Sequence, residues 1–179
     1  LFGLFRQQQT ELGGQVTAAD KAELRRRLDA LDDELNRALA REYGVDTAKA
    51  KSYKDWLASH RPLHWFVEFY GIMRRGGFDV VIGNPPYVEY KDVRSTYEIR
   101  NFVTDTCSNL FAFVTERCSI LGQQGTRVGI ILPLSAFSTD RMIPLITLLK
   151  RNSARLFISY FGWRPGKLFD GVNLQLSIL

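Results

Sequence analysis

The feature that most constrains the fold of this chain is an alternation of short apolar runs with helical segments after residue 77. Four apolar runs of strand length are separated by turns and by two amphipathic segments. The runs cover residues 78–82, 127–132, 156–161 and 174–179, and the amphipathic segments cover 108–121 and 141–150. Strands separated by helices of about ten to fifteen residues form a mostly parallel sheet covered on both faces. The pattern therefore predicts an α/β fold.

The amino-terminal third has a different pattern, which predicts a linker followed by helices. Residues 1–16 have no clear period, whereas leucines recur every three or four residues from 18 to 43, after Thr17 as a capping residue and before Gly44. A second, shorter helix is predicted from Tyr53 to Ser59. We therefore expect a linker and helical segment over residues 1–60, with a long helix at about 18–43, and one main domain over residues 61–179.

Composition narrows the class of protein. The chain has 179 residues, 45% of them hydrophobic, and a formal net charge of +5, which is compatible with a polyanionic partner. Cys107 and Cys118 would lie about 16 Å apart on one helix, too far for a disulfide. We find no metal-ligand spacing around His60 or His64, no long apolar run and no signal peptide, so we expect a cytoplasmic protein without a membrane segment. Because the sequence begins at Leu1 without a methionine and stops within an apolar run, we expect it to be a piece of a longer protein.

The segment with the strongest chemical signal is the loop Asn84-Pro85-Pro86-Tyr87, which follows the predicted strand 78–82. Open α/β sheets bind ligands at the carboxyl ends of their strands. An exocyclic amine is a poor nucleophile because its lone pair is delocalised into the ring. Two hydrogen-bond acceptors aimed at its two N–H bonds would localise that pair for attack on a methyl sulfonium. We expect Asn84 and the carbonyl of Pro85 to be these acceptors.

The other two residues of the loop fit the same chemistry. Pro85 and Pro86 have no N–H, so they bring no donors that would compete for the acceptors. Tyr87 offers an aromatic face on which a base taken out of the duplex can stack. The loop therefore predicts a site for an amine on a flat base, without an ionised general base.

These residues resemble a known family. Residues 76–88, with Asn84-Pro85-Pro86-Tyr87, resemble the fourth motif of amino-group DNA methyltransferases. Residues 125–133 resemble the sixth motif and residues 164–172 the eighth, while the aromatic stretch 64–69 looks like the lead-in of type IIG restriction-modification enzymes. The resemblance extends from about residue 61 to the end, and it implies a partial Rossmann-like methyltransferase domain.

By this resemblance the chain would be the base-binding part of a DNA adenine N6-methyltransferase acting on double-stranded DNA. Asn84, Pro85, Pro86 and Tyr87 would be its catalytic residues, and Phe169 would press on the base together with Tyr87. The methyl donor would be S-adenosylmethionine. Neither Gly13-Gly14 nor Gly76-Gly77 follows a strand, so neither fits the family's donor loop. We therefore expect the isolated chain to be nearly inactive, with no identified cofactor-binding residue.

Two alternatives stay open, and one association is expected. Release-factor methyltransferases use a similar Asn-Pro-Pro-Tyr loop on a protein glutamine, and a non-catalytic interaction module could keep the same fold. The strand Val80–Ile82 is apolar on both faces and would lack one neighbour in the sheet. We expect the chain to form a homodimer through that edge, or to cover it with residues 1–60.

Overall fold

The computed structural model describes residues 17–96, 98–162, 166–170 and 173–179. The chain divides into two compact units, Leu1–Arg75 and Gly76–Leu179. The predicted linker 1–16 lies outside the described residues, and the predicted domain boundary after residue 60 stays a prediction. Within the described ranges, no helix has the length and apolar character needed to cross a membrane.

The first unit is built on two helices, α1 (Ala18–Glu42) and α2 (Ala50–His60). A capping box starts α1, because the Thr17 hydroxyl accepts from the Asp20 N–H and the Asp20 carboxylate accepts from the Thr17 N–H. Gly44, at φ +76°, ends the helical turn, as the pattern predicted. A small core of Ala40, Tyr53 and Trp56 lies between the helices. Two short helices, α3 (Trp65–Glu68) and α4 (Tyr70–Met73), follow in this unit.

The second unit contains a four-stranded sheet of order β1-β2-β4-β3. The strands are β1 (Phe78–Gly83), β2 (Gly122–Pro133), β3 (Ser159–Phe161) and β4 (Leu176–Ile178). Strands β1 and β2 pair in parallel, and Gly83 is the partner of Ile130. The helix α5 (Leu110–Leu121) provides the crossover between them. The predicted α/β class is confirmed.

The pairing in the carboxyl-terminal half differs from the prediction of a mostly parallel sheet. Strand β4 is antiparallel to both β2 and β3, so two of the three described strand pairs are antiparallel. A parallel pair needs a crossover that returns the chain to the same end of the sheet. None of the described residues between β3 and β4 belongs to a helix, and β4 enters the sheet in the opposite direction. The sheet is therefore mixed.

The core of the second unit lies between the sheet and two helices, α5 and α7 (Ile143–Asn152), which the short helix α6 (Ser135–Ser138) precedes. Its members include Phe111, Ile130, Leu132 and Leu145, all buried. Asn109 caps α5 by accepting from the Phe111 N–H. Cys107 and Cys118 are free thiols buried in this core, and burial raises the pKa of each.

One edge of the sheet exposes apolar side chains. Strand β1 is the edge strand, and Val80 and Ile82 are 56% and 80% exposed. Val81, whose side chain points to the other face, packs against the core. An exposed apolar edge strand of this kind favours association with another chain or segment.

Candidate active site

The loop Asn84–Tyr87 (the motif loop) begins where β1 ends, at Gly83. The structure thus places the loop at the carboxyl end of a parallel strand, the position where such sheets bind ligands. Asn84 and Pro86 are exposed, whereas Pro85 is buried and Tyr87 is half-buried. The loop is less open than its composition indicates, because two of its four residues pack inward.

The hydroxyl of Tyr87 contacts both its own loop and strand β2. This hydroxyl lies 2.8 Å from Asn84 Oδ1 and 3.2 Å from the carbonyl oxygen of Ile131, and it is the only donor in each contact. The first bond closes the loop on itself, and the second connects it to β2. The side chain of Asn84 is therefore held by a residue three positions later.

The carbonyl of Ile131 is available for this bond because of the sheet's register. Ile130 exchanges both of its backbone hydrogen bonds with Leu179. Since successive residues of a strand direct their N–H and C=O groups to opposite sides, Ile131 directs its carbonyl toward the β1 side. There β1 has ended at Gly83, and Pro85 and Pro86 carry no N–H. The Tyr87 hydroxyl satisfies this carbonyl in place of a backbone donor.

The ring of Tyr87 is supported from within the core. It meets the ring of Phe111 edge to face, with centroids 6.3 Å apart and an interplanar angle of 81°. Burial raises the pKa of the Tyr87 phenol, so the hydroxyl keeps its proton at neutral pH. The ring is thus fixed at its hydroxyl and backed on one side, while the residue stays partly accessible.

The segment after the loop is held by Glu89. Its carboxylate accepts from Arg141 Nη1 at 3.0 Å and Nη2 at 2.6 Å, and from Asn109 Nδ2 at 3.2 Å. The hydrogen bonds from Arg141 are the main cause of the lowered pKa of Glu89. A backbone hydrogen bond from Leu110 N to Val88 O closes the same junction. Glu89 therefore connects the motif loop to the start of α5 and to the turn that precedes α7.

A second carboxyl group anchors the connection between the motif loop and α5. Glu116, buried in α5, accepts from the backbone N–H groups of Val103 and Thr104 at 3.1 and 2.9 Å. It also accepts from the Thr104 hydroxyl at 2.7 Å, and Thr104 is fully buried. The chain that leads from the motif loop into α5 is thereby held against the helix it enters.

Comparison with known proteins identifies the kind of domain that carries this loop. The family model of the Eco57I restriction-modification methylases matches residues 11–162. The chain belongs to this family.

A curated relative supports the family assignment. Over 127 residues, 66% of this chain, it is 29% identical to a Methanocaldococcus jannaschii protein named "Putative type II restriction enzyme and methyltransferase RM.MjaORFECS2P". The aligned part is 10% of that protein's length, so the chain spans about a tenth of this relative. No solved structure gives a significant match. The predicted resemblance to restriction-modification methyltransferases is confirmed at the level of the family.

The eighth-motif segment is only partly described. Phe169 is 40% exposed and lies in the short described stretch 166–170. The flanking residues Arg164, Pro165, Gly171 and Val172 lie outside the described residues. The predicted role of Phe169 against the base therefore stays a prediction.

Gly77 does not fit a methyl-donor loop. Gly77 lies just before β1, at φ +125°, and a Cβ there would be 2.3 Å from the backbone oxygen of Leu121. Because Gly77 has no side chain, two backbone segments can approach each other closely there. This backbone contact leaves no space for a ligand. Gly13-Gly14 lies outside the described residues. Among the residues described, no three His, Cys, Asp or Glu side chains are grouped to hold a metal ion.

Sequence reasoning located the loop but missed its supports. Phe111, Glu89, Arg141 and Glu116 are distant from the motif or look like ordinary helix and surface residues in the sequence. A weak signal was present for Glu116, since a Glu among apolar neighbours in a buried helix needs donors close to it. The partners of Glu89 depend on contacts across 20 and 52 positions, which no local pattern shows.

Proposed function

We propose that this chain supplies the target-base-binding part of a DNA adenine N6-methyltransferase from a restriction-modification system. The observation that carries the proposal is the position of Asn84, exposed at the carboxyl end of β1 and held at its side-chain oxygen by Tyr87. A family of methylases that acts in restriction-modification makes DNA the natural substrate, and the net charge of +5 favours a polyanion.

The chemistry we propose divides among the four loop residues. Asn84 Oδ1 and the carbonyl of Pro85 accept the two N–H bonds of the target amine and localise its lone pair. Pro86 restricts the backbone without adding a donor. Tyr87 stacks on the extruded base, and Phe169 approaches the base from the eighth-motif segment.

We propose S-adenosylmethionine as the methyl donor of the complete enzyme. We propose that this chain contributes the acceptor side of the reaction; the close backbone contact at Gly77 supports this, because it leaves that glycine unsuited to a donor loop. The isolated chain should therefore bind S-adenosylmethionine weakly. Calorimetric titration tests this, and a micromolar affinity would contradict it.

The two other candidate functions are less well supported. Methylation of a protein glutamine poses the same chemical problem, but the family model and the relative both point to restriction-modification. A non-catalytic module would not require an exposed Asn84 held by a tyrosine at a strand end.

The deciding experiment is single-turnover transfer of labelled methyl groups from S-adenosylmethionine to duplex DNA by the complete enzyme. The adenine and cytosine products are separated afterwards. We expect the label on adenine N6. Label on cytosine, or on protein glutamine with none on DNA, would refute the assignment.

We also propose that the exposed edge of β1 is an association surface, either for a second copy or for residues 1–60. Val80 and Ile82 are the exposed apolar residues on this strand. Sedimentation combined with amide exchange tests the idea. A monomer in which the Val80–Ile82 amides exchange rapidly would exclude both forms of association.

A further inference from the structure

The hydroxyl of Tyr87 makes contacts that stacking on a base does not require. Stacking uses only the aromatic face, and phenylalanine would supply one. Yet this hydroxyl lies within hydrogen-bond distance of two acceptors, Asn84 Oδ1 at 2.8 Å and Ile131 O at 3.2 Å. A phenol carries one proton, so the two acceptors share a single donor.

The two acceptors differ in whether they need a donor from the protein. The carbonyl of Ile131 belongs to the backbone of β2 and faces the place where β1 has ended, so it needs a donor to replace the missing ladder bond. Asn84 Oδ1 lies on an exposed side chain, where water can replace any partner. The hydroxyl can therefore donate to the Ile131 carbonyl alone without leaving a buried group unpaired.

Resting on the proposed function, we propose that the Tyr87 hydroxyl is a positioning group for Asn84. Before the base arrives, the hydroxyl holds the amide oxygen of Asn84 in one orientation at the strand end. When the target amine donates to Asn84 Oδ1, the hydroxyl keeps its bond to Ile131. The Asn84 acceptor is thus oriented in advance and released without leaving the phenol unpaired.

The surroundings of Tyr87 allow this arrangement because the ring is already fixed. Phe111, itself 2% exposed, supports the ring edge to face. The position of the hydroxyl is thus set by the core and by β2. The exposed side chain of Asn84 takes its orientation from this hydroxyl. Without the hydroxyl, the Asn84 side chain would distribute among the three staggered χ1 positions.

The test is Tyr87→Phe, which keeps the ring and its contact with Phe111 and removes the hydroxyl. The matched control is Tyr90→Phe. The Tyr90 hydroxyl accepts from the Ile99 N–H at 2.8 Å, and the Tyr90 ring also contacts a core phenylalanine, Phe113. Both variants lose a tyrosine hydroxyl from the same segment, but only the first loses the contact with Asn84.

The direct measurement is the side-chain amide NMR signal of Asn84 in this chain, assigned by its loss in Asn84→Asp. We expect Tyr87→Phe to shift this signal and to average its environment, and Tyr90→Phe to leave it unchanged. An Asn84 signal that is the same in Tyr87→Phe and in the unmodified chain would overturn the proposal. This readout does not depend on methyl transfer, so it decides the proposal even where the proposed function fails.

The functional measurements use the complete enzyme and two duplexes. Methyl transfer is measured on DNA with adenine at the target position, and base capture on DNA with 2-aminopurine there, because 2-aminopurine has no 6-amino group to accept a methyl. We expect Tyr87→Phe to slow single-turnover transfer about 3- to 10-fold, the scale set by three rotamers in place of one. The fluorescence change on base capture should stay the same, because the stacking ring is kept. An unchanged or faster transfer rate, or a loss of base capture equal to the loss in rate, would contradict a positioning role.

Discussion

Two carboxyl groups, one at the start of α1 and one in the motif region, are held in opposite ways. The motif region is the motif loop, α5 and the connection between them. In α1, Glu23 accepts from Arg26 and Arg27, three and four positions later, and all three side chains are exposed. In α5, Glu116 is buried and accepts from Val103 and Thr104, 13 and 12 positions earlier. The first set of contacts would form in an isolated helix, whereas the second needs the folded unit. The Glu116 contacts therefore depend on tertiary structure, whereas the Glu23 contacts lie within one helix.

Three consecutive arginines near the start of α1 illustrate the local kind of interaction. Arg25, Arg26 and Arg27 pair with carboxylates on the same helix, at distances of 2.6 to 3.8 Å. They form the solvated face that an amphipathic helix normally has. Charge density alone would have pointed to α1 as a DNA contact, whereas the geometry points to the uncharged loop at Asn84.

The largest effect we expect separates two asparagines. Asn84→Ala in the complete enzyme removes one acceptor for the target amine and should lower single-turnover methyl transfer about 10²–10³-fold, or about 3–4 kcal/mol, by analogy with the loss of one preorganised oxyanion-hole contact. DNA affinity should change little. Measurement of transfer rate and DNA binding on the same samples checks this prediction.

Its control is Asn36 in α1, which is 7% exposed and lies 2.9 Å from His64 Nε2 through its Oδ1. Asn36→Ala should lower the thermal midpoint and leave the transfer rate of the folded enzyme unchanged. Equal loss of rate in both variants would remove the distinction between the two regions.

The next effect concerns the stability of the motif region. Glu116→Ala leaves two backbone N–H groups and the Thr104 hydroxyl without their acceptor in a buried place, and should lower the free energy of unfolding by about 3 kcal/mol. Thr104→Val removes only the hydroxyl donor and should cost about 1 kcal/mol. Urea unfolding followed by fluorescence measures both. Equal midpoints for Glu116→Ala and the unmodified chain would show that these bonds do not hold the segment.

A smaller, pH-dependent effect should distinguish Glu89. Hydrogen bonds from Arg141 lower the pKa of this carboxyl below its ordinary value of 4.5. A carboxylate with a lowered folded-state pKa stabilises the fold above its unfolded pKa, and this contribution is lost as the pH falls through the folded value. The unmodified chain should therefore exceed Glu89→Gln in thermal midpoint at pH 6 and lose this advantage below pH 4.5. A difference that is constant between pH 6 and pH 3 would contradict the ion pair.

The smallest effect is expected at Glu23. Hydrogen bonds from Arg26 and then Arg27 lower the pKa of Glu23 to about 2. Solvent screens all three exposed side chains, and exposed pairs of this kind contribute little to stability. Glu23→Gln should give the same urea midpoint as the unmodified chain. A midpoint shift as large as that of Glu116→Ala would contradict the difference in stabilisation between the exposed Glu23 pairs and the buried Glu116 contacts.

Much of the fold follows from local patterns. The capping pair Thr17 and Asp20 and the leucine spacing place α1 within one residue of its observed bounds, Ala18–Glu42. The apolar run before Asn84 likewise gives β1, and with it the position of the loop. The prediction was less accurate for β3 and β4, which are each three residues long where six were expected. Short strands depend on their partners more than on their own residues.

What the sequence by itself determined is therefore the α/β class, the long helix and the place of Asn84-Pro85-Pro86-Tyr87 at a strand end, because each depends on residues close together in the chain. Only the tertiary structure decided the antiparallel entry of β4, the support of Tyr87 by Phe111 and the bond between Tyr87 and Ile131. The Ile131 contact joins residues 44 positions apart. It exists because β1 ends before the carbonyl of Ile131 while two prolines provide no donor, a condition that arises only when two strands lie side by side.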